Sequence, residues 1–261
     1  MIRRQLLRLF GLGATASLTG KATAQAAPDW SKIPYPRIET RGRDALATWT
    51  RLRAEGQGWP VIIGDDEALR FVAEQFAESG FVEDGEPRDP AAIVRASTDV
   101  RLPDALRRAY ADQGTPEDPM PPLAHGEWPA QAPLEPGLTV ASDVLTGKPL
   151  ARVHILVLPM RNGFEAPAYL KWGGWNECPA QEVHVAVLRR WHERYGAELI
   201  GISNDVLNLR VARRPATRAD ALALAEEQTY YCLDIVDQGV GSVAALAASL
   251  MVSEWWYFWW D

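Results

Sequence analysis

The chain ends Trp255-Trp256-Tyr257-Phe258-Trp259-Trp260-Asp261. This aromatic run reads as a strand, because such rings suit the pleated, half-buried surface of a sheet. Alternation sends Trp255, Tyr257 and Trp259 to one face and Trp256, Phe258 and Trp260 to the other. Neither face is polar. A strand of this kind needs protein on both sides, or it presents a bare aromatic surface. The fold must therefore cover the face away from its helices, with the N-terminal segment or with a partner.

Upstream, the pattern switches between strand and helix. Arg152–Pro159 runs apolar and reads as a strand. Pro179–Tyr195 reads as a helix with Val183, Val187, Trp191 and Tyr195 inward, stopped at Gly196. Glu198–Ile202 and Val206–Val211 read as strands joined at Ser203-Asn204-Asp205, a hairpin signal. Thr217 caps a helix carrying Leu222, Ala225, Thr229 and Cys232, with Asp220 in a capping-box-like position. Ser242 caps a further helix to about Val252. The order β-α-β-β-α-(α)-β matches the ferredoxin-like, split-βαβ pattern. It predicts an α+β fold: a mixed or antiparallel sheet with helices on one face. The first and third strands are central in that pattern, and the tryptophan strand lies at an edge.

Seven prolines fall between Pro116 and Pro136. Each lacks a donor and fixes φ, so neither helix nor central strand persists there. Residues 113–149 thus read as an extended connector, with a turn at Thr146-Gly147-Lys148. Before it, residues 27–112 read as a smaller α/β segment. Asp44 opens a helix bearing Leu46, Trp49 and Leu52 and ended by Gly56. Trp59–Ile63 is a short buried strand. Gly64-Asp65-Asp66 turns into a helix with Leu69, Val72 and Phe76 on one face, stopped by Gly80. Asp89-Pro90 opens another helix, and Pro103–Asp112 a third short one. Residues 150–261 form the C-terminal unit.

The first 26 residues read as an export signal. Arg3-Arg4, then Leu6-Leu7, resembles a twin-arginine signal; a mild apolar stretch follows, and Ala24-Gln25-Ala26 offers a cleavage site. The expected location is the periplasm, with no integral span after signal removal, since about 20 strongly apolar residues are needed to cross a bilayer. The whole chain carries a formal charge of −7. Loss of Arg3, Arg4, Arg8 and Lys21 leaves 34 acids against 23 bases, or −11. Such a surface repels nucleic acid, so a nucleic-acid partner is not expected. The 47% hydrophobic and 23% charged residues exclude a wholly disordered chain.

Several residue groups have chemistry to offer. Cys178 precedes Pro179 at a helix start, where a thiolate is favoured. With His154 or His184 it makes a candidate nucleophile; against that, a buried structural cysteine is common. Cys178 and Cys232 are the only cysteines, and in an exported protein they are candidates for a disulfide. There is no Cys-x-x-Cys and no His-Glu-x-x-His, and His184 and His192 share a helix face poorly, so no metal or other cofactor is expected. Among the acids, Asp205 sits at a hairpin turn, Glu226 and Glu227 on a helix, and Asp234 and Asp237 beside Gln238 and Gly239. Paired acids serve acid–base chemistry when one is desolvated, although acids in turns mostly bond local N–H groups. The Gly173-Gly174 loop lacks the residues of a phosphate loop. With Tyr169, Trp172 and Trp175 around it, it reads as an aromatic contact.

Three stretches carry a family resemblance: Gly174-Trp175-Asn176-Glu177-Cys178-Pro179, Trp191–Glu198, and Tyr231–Gly239 through to Trp255–Asp261. Together they resemble a bacterial family, domain of unknown function 4253, over roughly residues 150–261. The resemblance implies that this region is one unit. It implies no activity.

The reading that unites these features is a binding protein with an aromatic-lined surface. Trp172, Trp175 and Asn176 make the contact to a small molecule or protein, and Asp234, Asp237 and Gln238 orient it. One alternative is a hydrolase using Cys178 with a histidine such as His184, or using Asp205, Asp234 and Asp237. A third is an acidic protein that neutralises a basic partner. A hydrolase requires Cys178, a histidine and an acid to converge. The binding reading requires exposed Trp172 and Trp175 beside a cleft.

Overall fold

The computed structural model describes residues 30–77, 89–134 and 136–260. The export signal and the Gly80 helix stop lie outside the described residues.

Six strands form one mixed sheet: β1 (Arg37–Thr40), β2 (Trp59–Gly64), β3 (Val153–Leu158), β4 (Glu198–Ile202), β5 (Val206–Arg210) and β6 (Trp255–Trp259). Their order across the sheet is β1-β3-β2-β4-β5-β6. The α+β class holds, the tryptophan strand is at an edge, and the β4–β5 hairpin forms as the Ser203-Asn204-Asp205 turn predicts. The split-βαβ pairing does not form. It would place β3 beside β5, but β2 and β4 lie between them. β2 pairs antiparallel with β3 and parallel with β4. All six of its residues, Trp59–Gly64, are buried. An unbroken apolar run of that kind is what a fully covered central strand needs.

Eight α-helices are assigned among the described residues: α1 (Ala45–Glu55), α2 (Asp66–Ala77), α3 (Pro90–Ala96), α4 (Asp104–Ala111), α5 (Ala166–Leu170), α6 (Gln181–Tyr195), α7 (Arg218–Tyr231) and α8 (Val243–Val252). Thr217 caps α7 by accepting from the Asp220 amide, and Ser242 caps α8 by accepting from that of Ala245. α6 stops at Gly196, whose φ of 62° is left-handed.

The helices cover both faces of the sheet, not one. Thr40 pairs with Val153, and its hydroxyl lies 3.2 Å from that of Thr48 on α1. The next residue, His154, points to the opposite face and bonds Asp66 at the start of α2. At the other end of the sheet the connector supplies the second layer. Asn208 is fully buried on β5. Its amide oxygen accepts from Thr139 Oγ1 at 3.0 Å and from the Val140 amide at 3.1 Å. Its amide nitrogen donates to the Gly137 carbonyl at 3.3 Å. Gly201 is required beneath this contact, because an added Cβ would lie 2.4 Å from Val140 Cγ2. Residues 137–150 of the chain itself thus cover this face of β4 and β5, beside the tryptophan strand.

The helical face of β5 and β6 holds the aromatic core. Trp191 of α6 stacks on Phe258 at 5.2 Å and 15°, and meets Trp256 edge-on at 5.6 Å. Offset and edge contacts of this kind suit the ring quadrupole and add about 0.5–1.5 kcal/mol per pair beyond burial. The Trp191 indole donates to Glu227 at 2.7 Å, and Arg190 Nε lies 3.1 Å from both Glu227 oxygens. Glu227 is buried. These donors account for its place there, since a buried carboxylate needs charge and hydrogen-bond partners.

Candidate functional site

The expected aromatic contact is a core element. Trp172 follows α5 and is completely buried. Its indole donates to the Ser203 carbonyl at 2.7 Å, and its ring packs edge-on against Trp175 at 5.1 Å and Trp260 at 5.5 Å. It therefore offers no binding surface, contrary to expectation. Trp175 is half-buried against Phe71 of α2 at 5.5 Å. Asn176 is exposed, with a left-handed φ of 47°. Gly173 turns the loop at φ 109°, and a side chain there would strike the Pro179 carbonyl and the His184 ring.

Cys178 and His184 do meet. The sulfur lies 3.4 Å from His184 Nε2, and Nδ1 lies 2.6 Å from the Tyr231 hydroxyl. All three residues are buried. Burial pushes the Cys178 thiol well above its ordinary range and holds His184 down to about 3. The pair is thus a neutral thiol beside a neutral imidazole, and the third member is a phenol. This is the reverse of an activated cysteine, which needs a thiolate and an exposed face. Cys232 is also buried and unbridged, with its thiol donating to the Trp259 carbonyl at 3.0 Å. Both thiols are free in this structure, with no disulfide between them. His154 is engaged by Asp66 at 2.7 Å, and its buried Nδ1 has no partner among the described residues. The His154 bond, and then Arg152, hold the Asp66 carboxyl below its ordinary range.

The acids scatter. Glu226 lies 3.8 Å from His125, and Glu227 serves the core. Asp234 accepts from Gln238 Nε2 at 2.8 Å within the helical turn Ile235–Val240. Asp237 is exposed and acts on the Tyr110 hydroxyl of α4. Asp205 lines a cleft whose lining includes none of Asp234, Asp237 and Gln238. Among the described residues, no three His, Cys, Asp or Glu side chains gather as a metal-binding group. No helix among them is long and apolar enough to cross a membrane.

Asp205 lines a cleft of about 560 Å³. The floor lies at the carboxyl ends of the parallel pair, with Gly64 ending β2 and Asp65 after it, and Ser203 and Asn204 following β4. Ligands in α/β sheets favour the carboxyl ends of parallel strands, where loops diverge. One wall is Tyr257 and Trp259, on the β6 face opposite the core. The other comes from the connector: Thr139, Val140, Ser142, Asp143, Val144 and Leu150. Asp65 Oδ1 accepts from the amides of Glu67 and Ala68, which fixes the turn into α2. Asp143 holds its own turn by accepting from the Thr146 amide and hydroxyl, and those bonds keep its carboxyl below its ordinary range. Ser203 is 8% exposed. Its hydroxyl has no partner among the described residues, yet it is not one of the sealed polar atoms. It opens on the cleft.

A second cavity, about 520 Å³, lies between α1 and β1. Its charged residues Arg51 and Glu55 bond each other, which leaves few polar groups for a ligand.

The fold is thus an α+β domain with a six-stranded mixed sheet and a cleft at the carboxyl ends of its parallel pair. Within it, residues 154–261 match the family model described as Domain of unknown function (DUF4253). No curated protein and no solved structure matches the chain.

Proposed function

We propose that this is a binding protein for a small polar molecule, and that the ligand sits in the cleft between β6 and the connector. One observation carries the reading: an aromatic wall, Tyr257 and Trp259, lines a cleft of about 560 Å³ together with the Ser203 hydroxyl and the Asp65 carboxylate. That volume falls within the range of small-molecule sites, which combine apolar walls with a few placed polar groups. The contact surface thus moves from Trp172 and Trp175 to the terminal strand, and Asp205 remains part of it. The buried, neutral state of Cys178 and His184 weighs against a cysteine hydrolase. The arginine pair near the N-terminus and the Ala24-Gln25-Ala26 site support export and a periplasmic location. Protein from the periplasm then begins at Ala27 on N-terminal sequencing; retention of Arg3-Arg4 contradicts export.

The test is tryptophan fluorescence against a panel of small sugars and amines. At least one compound is expected to change the emission of the wild type, and to leave that of Trp259→Phe much less altered. A panel with no response, or a response unchanged in Trp259→Phe, overturns the reading.

A further inference from the structure

The cleft's lining has a one-sided charge. Asp65, Asp143 and Asp205 contribute carboxylates, and no Lys, Arg or His lines it. Arg152 bonds Asp66, the neighbour of Asp65, and Lys148 acts on Asp143 from the same turn. Asp65 spends only Oδ1 on the α2 amides, so Oδ2 has no partner among the described residues. A carboxylate has about four lone-pair positions, so such an oxygen remains a strong acceptor. Ser203 Oγ adds an unpartnered group more than nine-tenths buried and open to the same space. The remaining wall is ring faces. A ring face is negative at its centre and attracts a cation, most strongly one already out of water.

We propose that the ligand is a small organic cation, an amine. Its nitrogen takes the carboxylates and the Ser203 hydroxyl, and its carbon skeleton lies on Tyr257 and Trp259. The inference rests on the binding role given above to this cleft and names the ligand class for it. Anions are disfavoured by three like charges in one concavity. A neutral sugar would use the rings and hydroxyl acceptors but gain nothing from the charge.

Calorimetric titration of the mature chain with putrescine and with choline tests this, with glucose and acetate as the neutral and anionic probes. At least one amine is expected to bind at one site, and to bind roughly fivefold or more weakly to Asp205→Asn and to Asp143→Asn. Binding is also expected to weaken as salt rises, because partly exposed charges are screened within about 10 Å at 0.1 M. Circular dichroism of each variant checks that it is folded, and Asp143, in an exposed turn, is the safer of the two. Glucose binding without amine binding overturns the cationic class and leaves the cleft's binding role standing. Amine binding that is equal in both variants is surface attraction and overturns the class as well. No binding of any probe, together with no fluorescence response across the wider panel, overturns both.

Discussion

His184 couples the interior to pH. Burial holds its imidazole down to about 3, against an ordinary 6.5. Protonation is therefore easier in the unfolded chain. Stability should be intact above about pH 6.5, fall as pH drops below it, and level off near 3, with a contribution of up to about 1.4 kcal/mol per pH unit. Urea midpoints from pH 7 to 4 should drop faster for the wild type than for His184→Gln; parallel curves contradict the assignment. The neighbouring thiols make a second residue-level prediction. Cys178 and Cys232 are buried, and burial raises both, Cys232 to about 12. Neither should react with Ellman's reagent in the folded protein, and both should react in denaturant. One thiol or none released on unfolding would contradict the unbridged state. Cysteine beside histidine was a sound pairing to expect from the sequence. Its depth was not legible, because burial depends on Trp172 and Trp260 packing over the imidazole at 4.8 and 5.6 Å.

At the scale of elements, the connector is structural. Asn208 holds it with three bonds from a fully buried side chain. Asn208→Ala leaves the Val140 amide and the Gly137 carbonyl without that partner, at about 1–3 kcal/mol for a buried unsatisfied group. Limited proteolysis should then cut within 137–150 at protease levels that spare the wild type; equal resistance would mean the segment is held elsewhere. Local signals placed most elements well. The Thr217 and Ser242 caps, the Gly196 stop and the β4–β5 turn are each decided by a few neighbouring residues, so the sequence displays them. β1 and α5 carried no such signal. Arg37–Thr40 is a short, partly exposed edge strand, and Ala166–Leu170 is a single short helix. The parts of the cleft were visible one by one: Asp65 in a turn, Asp205 in a hairpin, Thr146-Gly147-Lys148 in the connector, Tyr257 and Trp259 on one strand face. Their meeting depends on long-range pairing, which no local pattern encodes.

For the whole molecule, the consequential fact is that β2 sits between β3 and β4. The N-terminal part of the chain thereby builds the middle of the sheet that the C-terminal part completes. A fragment of residues 150–261 would expose three unpaired strand edges, both of β3 and one of β4, and lose the floor at Gly64 and Asp65. It should show no cooperative thermal transition, and mixing with a 27–149 fragment should restore one; a stable isolated fragment would contradict the interleaved sheet. The ferredoxin-like order failed for this reason. Four strands of the right kind were present, but a fifth from far upstream took the place beside β3. The tryptophan strand, which demanded cover on both faces, receives it unequally: α6 and α7 fill one side, and on the other the connector covers β4 and β5 beside it. The space left beside the strand is the cleft.

The most direct measurement is an indole N–H spectrum of the isotope-labelled protein, titrated in turn with putrescine, choline and glucose. The chain's 11 tryptophans report separate positions. The Trp259 resonance should move with at least one of these compounds, while the buried Trp172 and Trp191 resonances stay in place. A Trp259 resonance that none of them moves, or a Trp172 resonance that moves in its stead, would contradict the cleft as the binding site.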